Sequence, residues 1–149
     1  MNEYPASDVP QTVPPQQPVR VALPQAAPYV TYTIIGITVF VYILQLATQA
    51  LLQADVPVAF FIKANDLIRE GQLWRLLTPA LIHGSFAHIG FNMYALFSFG
   101  TNLERYFGRG RFLTLYLLGA FAGNVMSFLF SDAYSLGAST AIFGLIGAE

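Results

Sequence analysis

Cysteine is absent from this chain of 149 residues, and charged side chains make up only 10% of it. Without cysteine the protein forms neither a disulfide framework nor a thiolate metal site. The net charge of −1 leaves no basic surface of the kind that binds nucleic acid. Soluble domains usually carry about 25% charged residues, so the shortage of charge argues against an ordinary soluble domain.

That shortage is concentrated in four stretches. No Asp, Glu, Lys or Arg occurs in residues 21–54, 76–103, 112–131 or 133–148. A helix that crosses a bilayer needs about 20 mostly apolar residues, a length that the first three stretches reach and the fourth does not. The pattern indicates an integral multi-pass membrane protein whose apolar helices contact the lipid bilayer.

The first 28 residues differ in composition, because seven of the nine prolines lie there together with Gln and Ala. Such a segment cannot bury enough apolar surface to fold. It also lacks the features of a signal peptide, since acidic residues precede its one basic residue, Arg20, and no apolar core follows. We expect a disordered, solvated tail over residues 1–28 and a transmembrane domain over residues 29–149. A tail that binds partner domains is the less favoured alternative.

Four hydrophobic helices are predicted, at about residues 30–52, 82–103, 112–130 and from Gly137 onward. Backbone polar groups in lipid must be satisfied within their own segment, which favours an all-α bundle. The long connection between the first two helices, residues 53–81, contains "NDLIREG", which predicts a short helix capped by Asn65 and stopped by Gly71. A structural lid and a substrate gate remain alternative interpretations of this connection.

Basic residues set the expected orientation. Three arginines lie in the short loop at residues 104–111, while Lys63, Arg69 and Arg75 lie in the long connection on the opposite side. The positive-inside rule is strongest for charges close to helix ends, where the short loop has its arginines. We therefore expect that loop and the N-terminal tail to be cytoplasmic.

Polar residues inside membrane helices are functional candidates because they are costly there. His88 and Asn92 are four residues apart and share a helix face, while His83, five residues before His88, is expected on another face of the same helix. The alternative is a structural one, since His and Asn also join membrane helices by hydrogen bonds. The two histidines are out of register and no carboxylate accompanies them, so we expect no metal and no cofactor.

Ser139 on its own is best explained as a small residue at a helix interface. Small residues recur at helical spacing nearby, as Gly119 with Gly123 and as Gly144 with Ala148, a pattern typical of close helix packing in membranes.

The expected depth of Ser139 in the membrane favours a functional role over packing alone. The second and fourth helices start from the same membrane face, and at about 1.5 Å per residue Ser139, His88 and Asn92 reach a similar depth. A hydroxyl, an imidazole and a carboxamide at one depth suit a nucleophile with donors for an oxyanion.

Four motifs occur in a fixed order along the chain: "WR" at Trp74 and Arg75, "HGSFAHIGFN", "ERYFG" from Glu104, and "GASTAIFG" around Ser139. In this order and at these spacings, residues 30–149 resemble the rhomboid family of intramembrane serine proteases. The resemblance implies a polytopic helical bundle of six transmembrane helices, of which about four are present here. It also implies cleavage of the transmembrane segments of other membrane proteins, and we expect the plasma membrane of a prokaryote as the location.

The resemblance assigns roles to individual residues. It implies that Ser139 is the nucleophile, that His88 and Asn92 stabilise the oxyanion, and that the general base is a histidine on the sixth helix, which this chain does not contain. The supporting positions are His83, Gly137, Trp74, Arg75 and Glu104.

Two departures from the family pattern affect the expected activity. Thr140 stands where the family usually has glycine, and a β-branched residue there would crowd the turn or cap it locally. From Ser139 to the last residue is about 16 Å of helix, against a hydrocarbon core of about 30 Å. We therefore expect a fragment that ends within the fourth transmembrane helix and is inactive alone. The alternatives are an inactive rhomboid-like protein that binds membrane clients and an unrelated packing module of a transporter.

Overall fold

The computed structural model describes residues 27–147, and within that range the secondary structure is helical apart from turns and one isolated β-bridge. The α-helices of this range are α1 (Tyr29–Leu52), α2 (Val56–Phe61), α3 (Asn65–Arg69), α4 (Phe86–Ala95), α5 (Thr101–Phe107), α6 (Arg109–Phe130) and α7 (Ser139–Ile146). A π-helical turn, Leu96–Gly100, joins α4 to α5, and the 3₁₀ turns Leu73–Leu76 and Thr78–Leu81 precede α4. The predicted all-α class is confirmed. The predicted tail lies outside the described residues except for its last two.

The buried face of the first helix, α1, includes polar side chains, while many of its apolar side chains point outward. Thr31, Thr38 and Gln45 are spaced seven residues apart, lie on one face and are buried. On the other side, Phe40 is 59% exposed and Ile43 is 56% exposed. Water would disfavour such a surface, whereas lipid accommodates it, so the arrangement fits a membrane helix.

Among the described residues, two helices are long and apolar enough to cross a membrane by length and composition, α1 and α6. The prediction for α1 differs from the structure by one residue. The number of helices that cross the membrane stays a prediction.

The second predicted helix, at residues 82–103, is wrong at both ends. The helix begins only at Phe86, because Ser85 is its N-cap and accepts a hydrogen bond from the backbone N–H of His88 at 3.1 Å. It continues through the π-helical turn to Phe107, and Gly108, with φ of +81°, ends it. His83 therefore precedes the helix, and the expectation that it occupies another face of that helix is wrong.

Close packing of α6 against α7 depends on glycine. A Cβ at Gly119 would lie 3.2 Å from the carbonyl oxygen of Ala141, and one at Gly144 would lie 3.0 Å from the Cα of Gly119. At Gly123 a Cβ would overlap the side chain of Thr140, with its Cγ2 only 2.7 Å away. The small residues predicted to pack helices therefore do so at Gly119, Gly123 and Gly144. Their predicted partner at position 148 lies outside the described residues.

Replacing Gly123 by alanine should push α7 away from α6, since the new methyl group meets Thr140. Overpacking of this kind typically costs about 1–3 kcal/mol, and we expect a lower midpoint of thermal unfolding in detergent. Gly36→Ala is the matched control, because nothing lies within 4 Å of a Cβ at that helical glycine. The double variant Gly123→Ala with Thr140→Gly should recover stability, since the second change restores the space. Unchanged stability of Gly123→Ala would contradict this packing.

The helix starts of α6 and α7 also differ from the prediction. α6 begins at Arg109, three residues earlier than expected, directly after Gly108. α7 begins at Ser139 and not at Gly137, because Gly137 has a φ of +111° that no helix contains.

The long connection contains the predicted short helix, but Asn65 does not cap it. The N-cap of α3 is Ala64, while the Asn65 side chain donates hydrogen bonds to residues at the end of α6. α3 ends at Arg69, two residues before Gly71, which has a φ of +100° and so stops the helix as predicted. The N–H of Gly71 donates to the carbonyl of Ile68. The connection is thus fixed to the helical bundle by contacts distant in sequence.

Candidate active site

Gly137 forms the turn around which the candidate site is built. Its N–H donates to the carbonyl oxygen of Pro79 at 2.8 Å, which holds the turn against the end of the long connection. A Cβ at this position would lie 2.6 Å from Nε2 of His88 and 3.8 Å from Nδ2 of Asn92. Both the positive φ and the lack of space require glycine here. The side chains of His88 and Asn92 therefore lie against the turn that leads into Ser139.

Ser139 is the first residue of α7 and is half-buried. The residue before it, Ala138, is fully buried. The first N–H groups of a helix have no partner within the helix, and the first backbone bond of α7 runs from the N–H of Ile142 to the carbonyl of Ala138. The backbone N–H of Ser139 is thus available at a helix N-terminus, where the helix dipole favours negative charge.

His88 and Asn92 are placed by one turn of α4. Asn92 is 7% exposed and donates from Nδ2 to the backbone carbonyl of His88 at 3.0 Å. Among the described residues, neither side chain makes a hydrogen bond to another helix. The alternative in which His88 and Asn92 join helices by hydrogen bonds therefore has no such bond to support it. The two side chains reach Gly137 from one helix face, which is the face expected from their spacing.

His83 lies beside this pair although it precedes α4. Its ring centroid is 5.0 Å from that of His88, and the two rings are inclined at 69°. Its Nε2 accepts a hydrogen bond of 3.4 Å from the backbone N–H of Ala138. His83 thereby fixes the residue directly before Ser139, a contact that the expected helix position did not indicate.

Gln45 of α1 is a residue that sequence reasoning missed. Its Oε1 accepts from the N–H of His83 at 3.0 Å, and its Nε2 donates to the carbonyl of His83 at 3.0 Å and to Asp55 at 3.0 Å. A single amide side chain thus supports the extended backbone on which His83 sits. The available signal was its spacing of seven residues from Thr38, which places both polar side chains on one face of a mostly apolar helix.

The other supporting residues lie elsewhere in the fold. Arg75 is buried and donates to the carbonyls of Ile62 and Ala59, both at 2.8 Å, while Trp74 donates from its indole to the carbonyl of Phe60 at 3.2 Å. These two residues hold the long connection together.

Glu104, also buried, connects α5 to the start of α1. Its carboxylate accepts hydrogen bonds from the N–H of Val30 at 2.9 Å and from the N–H and hydroxyl of Thr31 at 2.7 and 2.8 Å. A carboxylate at a helix N-terminus is favourable for the helix dipole, so Glu104 anchors α1 in the bundle.

Thr140 does not crowd the turn at Gly137. Its side chain lies against Gly123 of α6, and its hydroxyl is buried without a hydrogen-bond partner. This threonine thus packs against a glycine on the neighbouring helix. Within residues 27–147 no group of three His, Cys, Asp or Glu residues is placed to hold a metal ion.

Comparison with known proteins identifies related sequences. The family described as Rhomboid domain matches residues 70–149. Rhomboid protease GluP of Bacillus subtilis (strain 168) is 44% identical over 121 residues, which cover 81% of this chain and 24% of that protein. Putative rhomboid protease YdcA of the same organism is 42% identical over 82 residues, 54% of this chain and 41% of that protein.

A eukaryotic relative is similar to a comparable extent. Rhomboid-like protease 1 of Toxoplasma gondii is 40% identical over 98 residues, 64% of this chain and 33% of that protein. The chain spans only about a quarter to two fifths of the length of these relatives.

Proposed function

Since this chain belongs to the rhomboid family, we propose that it forms part of an intramembrane serine endopeptidase in which Ser139 is the nucleophile. The observation that carries the proposal is the position of the His88 and Asn92 side chains against Gly137, two residues before that serine. This arrangement offers two side-chain donors beside the start of α7. The relatives with protease in their names support the same kind of activity.

The proposed reaction is acyl transfer followed by hydrolysis. The Ser139 hydroxyl oxygen attacks a peptide carbonyl carbon, its proton passes to a base, and the leaving amine takes up that proton as the peptide bond breaks. The carbonyl oxygen, now negative, accepts hydrogen bonds from His88, from Asn92 and from the backbone N–H of Ser139. Donors that are fixed before the charge develops are the main source of rate in such sites. Water then hydrolyses the ester and releases the second product.

The proposed base comes from outside these 149 residues. Only two histidines occur in the sequence, and each already has a position in the site. His83 accepts a hydrogen bond from Ala138 through Nε2, and His88 faces the Gly137 turn. A serine hydroxyl needs an adjacent base to become a nucleophile, so we propose that a further segment provides it.

We further propose that the substrates are transmembrane segments of other membrane proteins. The many exposed apolar side chains on α1, α4 and α6 support a location within the bilayer, from which such segments would approach. We also propose a prokaryotic plasma membrane as the location, in line with the Bacillus subtilis relatives. The arginines of the loop at residues 104–111 support a cytoplasmic N-terminus.

A serine-reactive fluorophosphonate should label the complete gene product that contains these residues, and mass spectrometry should map the label to Ser139. Activated serines react with such probes far faster than ordinary serines, because an adjacent base takes the hydroxyl proton as the oxygen attacks phosphorus and fluoride leaves. The other serines of the same turn region, Ser131 and Ser135, are internal controls and should stay unlabelled. Label on a different serine would contradict the proposed nucleophile. No label on a folded protein would contradict it as well and would favour a client-binding role.

A further inference from the structure

Lys63 in the long connection has an unusual environment for a lysine. Its side chain is fully buried, and its ammonium donates hydrogen bonds to the carbonyl of Ser131 at 2.6 Å and to the carbonyl of Ala133 at 2.9 Å. Burial lowers the pKa of this ammonium, and the nearby Asp132 carboxylate opposes that effect. Lysines are almost never fully buried unless they are paired. Here the two backbone carbonyls are the partners that make burial of the ammonium possible.

The partners of Lys63 belong to the linker between α6 and α7, residues 131–138. The last carbonyls of a helix lack partners within the helix and favour positive charge, and Ser131 is the C-cap of α6. Asn65 adds to the same contact, because its Nδ2 donates to the carbonyls of Phe128 and Ser131 and to the carboxylate of Asp132. Together the side chains of Lys63 and Asn65 cap the C-terminal end of α6 by donating to its last carbonyls.

A backbone pairing extends this contact toward the candidate site. The N–H of Lys63 donates to the carbonyl of Ser135 at 3.1 Å, which forms the isolated antiparallel β-bridge. Two residues later the N–H of Gly137 donates to the carbonyl of Pro79, and the next N–H, that of Ala138, donates to Nε2 of His83. The linker is therefore fixed at successive points from Ser131 to the residue before Ser139.

We propose that Lys63 is a positioning residue for Ser139, acting through the linker whose carbonyls it binds. This inference rests on the proposed function, since it concerns the reactivity of that serine. Lys63 touches no reacting atom. Its loss leaves the carbonyl of Ala133 without this donor and the carbonyl of Ser131 with Asn65 alone, which loosens the linker and displaces Ser139 relative to His88 and Asn92. A displacement of about 1 Å at a reacting group costs up to about 100-fold in rate.

The first experiment compares Lys63→Met with Arg69→Met in the complete gene product. Methionine keeps an unbranched apolar stem but removes the donor. Arg69 is a basic residue of the same connection, 57% exposed, and it reaches the linker through a surface ion pair of 3.8 Å with Asp132. Exposed ion pairs contribute little, so its loss is the matched control for removing a positive charge beside the linker. We expect Lys63→Met to lower the rate of fluorophosphonate labelling per folded molecule by about 10- to 100-fold and to speed hydrogen exchange across residues 131–139. Arg69→Met should change neither quantity.

The second experiment replaces the ammonium contact by a covalent one. Residues paired across an antiparallel bridge have Cα atoms about 4.5–5.5 Å apart, within the range of a disulfide, and the chain has no cysteine of its own to interfere. The double variant Lys63→Cys with Ser135→Cys should label slowly when reduced and regain labelling when oxidised. Lys63→Cys alone should stay slow under both conditions. This variant also tests the inference if Lys63→Met does not fold.

The results separate this inference from the proposed function. If the wild-type protein is not labelled, the proposed nucleophile is wrong, and hydrogen exchange alone decides whether Lys63 holds the linker. If the wild-type protein is labelled and Lys63→Met is labelled at the same rate, the positioning role is overturned. Failure of the disulfide to restore labelling of a folded double variant would overturn it as well.

Discussion

Replacing Ser139 by alanine is expected to abolish cleavage of a single-span membrane reporter by the complete gene product. Removal of the nucleophile from a serine hydrolase lowers turnover by on the order of 10⁶, so we expect no product above the background measured without the protein. The side chain is half-buried at the first position of α7, so loss of its hydroxyl should leave the fold intact. The measurement is product formation from purified enzyme in detergent or liposomes, with thermal unfolding measured in parallel.

Ser135→Ala is the matched control for this variant. Ser135 lies four residues earlier in the linker, and its hydroxyl makes only a weak contact of 3.5 Å with Ser127. We expect this control to cut the reporter at the wild-type rate. Undiminished cutting by Ser139→Ala would show that the nucleophile lies elsewhere. A folded wild-type protein that binds the reporter without cutting it would favour the client-binding alternative.

His88→Ala and Asn92→Ala should each lower kcat by roughly 10²–10³, the usual cost of removing one oxyanion donor. KM should change little, because these donors act mainly on the charge that develops in the transition state. The reason for expecting a catalytic effect is geometric. Both side chains lie against Gly137, and neither forms a described hydrogen bond to another helix. The measurement is kcat and KM for the reporter, normalised to folded protein.

Asn102→Ala is the control for the asparagine. Asn102 makes the same kind of bond as Asn92, from Nδ2 to the carbonyl four residues earlier, here that of Ser98 at 3.1 Å, but it is exposed. If the role of Asn92 were purely structural, its alanine variant would lose stability and keep its activity per folded molecule. That result would contradict the role of Asn92 as an oxyanion donor and support the alternative in which it joins helices by hydrogen bonds.

Much of the fold is predictable because membrane helices are encoded locally. The run of apolar residues that forms α1 was placed within one residue, and the end of α6 agrees as well. A helix in lipid satisfies its backbone polar groups within its own segment, so length and apolar composition nearly suffice. The glycines at positions 119, 123 and 144 are equally local signals, because close helix packing requires small residues wherever the partner lies.

Helix boundaries and loop contacts were less predictable. The apolar run that includes Ile82 predicts a start of α4 four residues too early, because the capping serine in "HGSFAH" decides where the helix begins. Local sequence predicts Asn65 as the cap of α3, yet its side chain binds the end of α6, more than 60 residues away in sequence. Local rules favour the nearest backbone groups, and tertiary packing offered better partners.

By itself the sequence determined the helical class of the fold and the family, and it predicts Ser139, His88 and Asn92 as the candidate site. Only the tertiary structure decided how that site is held. His83 accepts a hydrogen bond from the N–H of Ala138, Gln45 binds the backbone of His83, and Lys63 binds carbonyls of the linker. These contacts join residues 38 to 68 positions apart. Hydropathy and helical spacing report only on neighbours within a few turns, so no local pattern records them. They exist because buried polar groups must find partners, and which partners they find is settled when the helices pack.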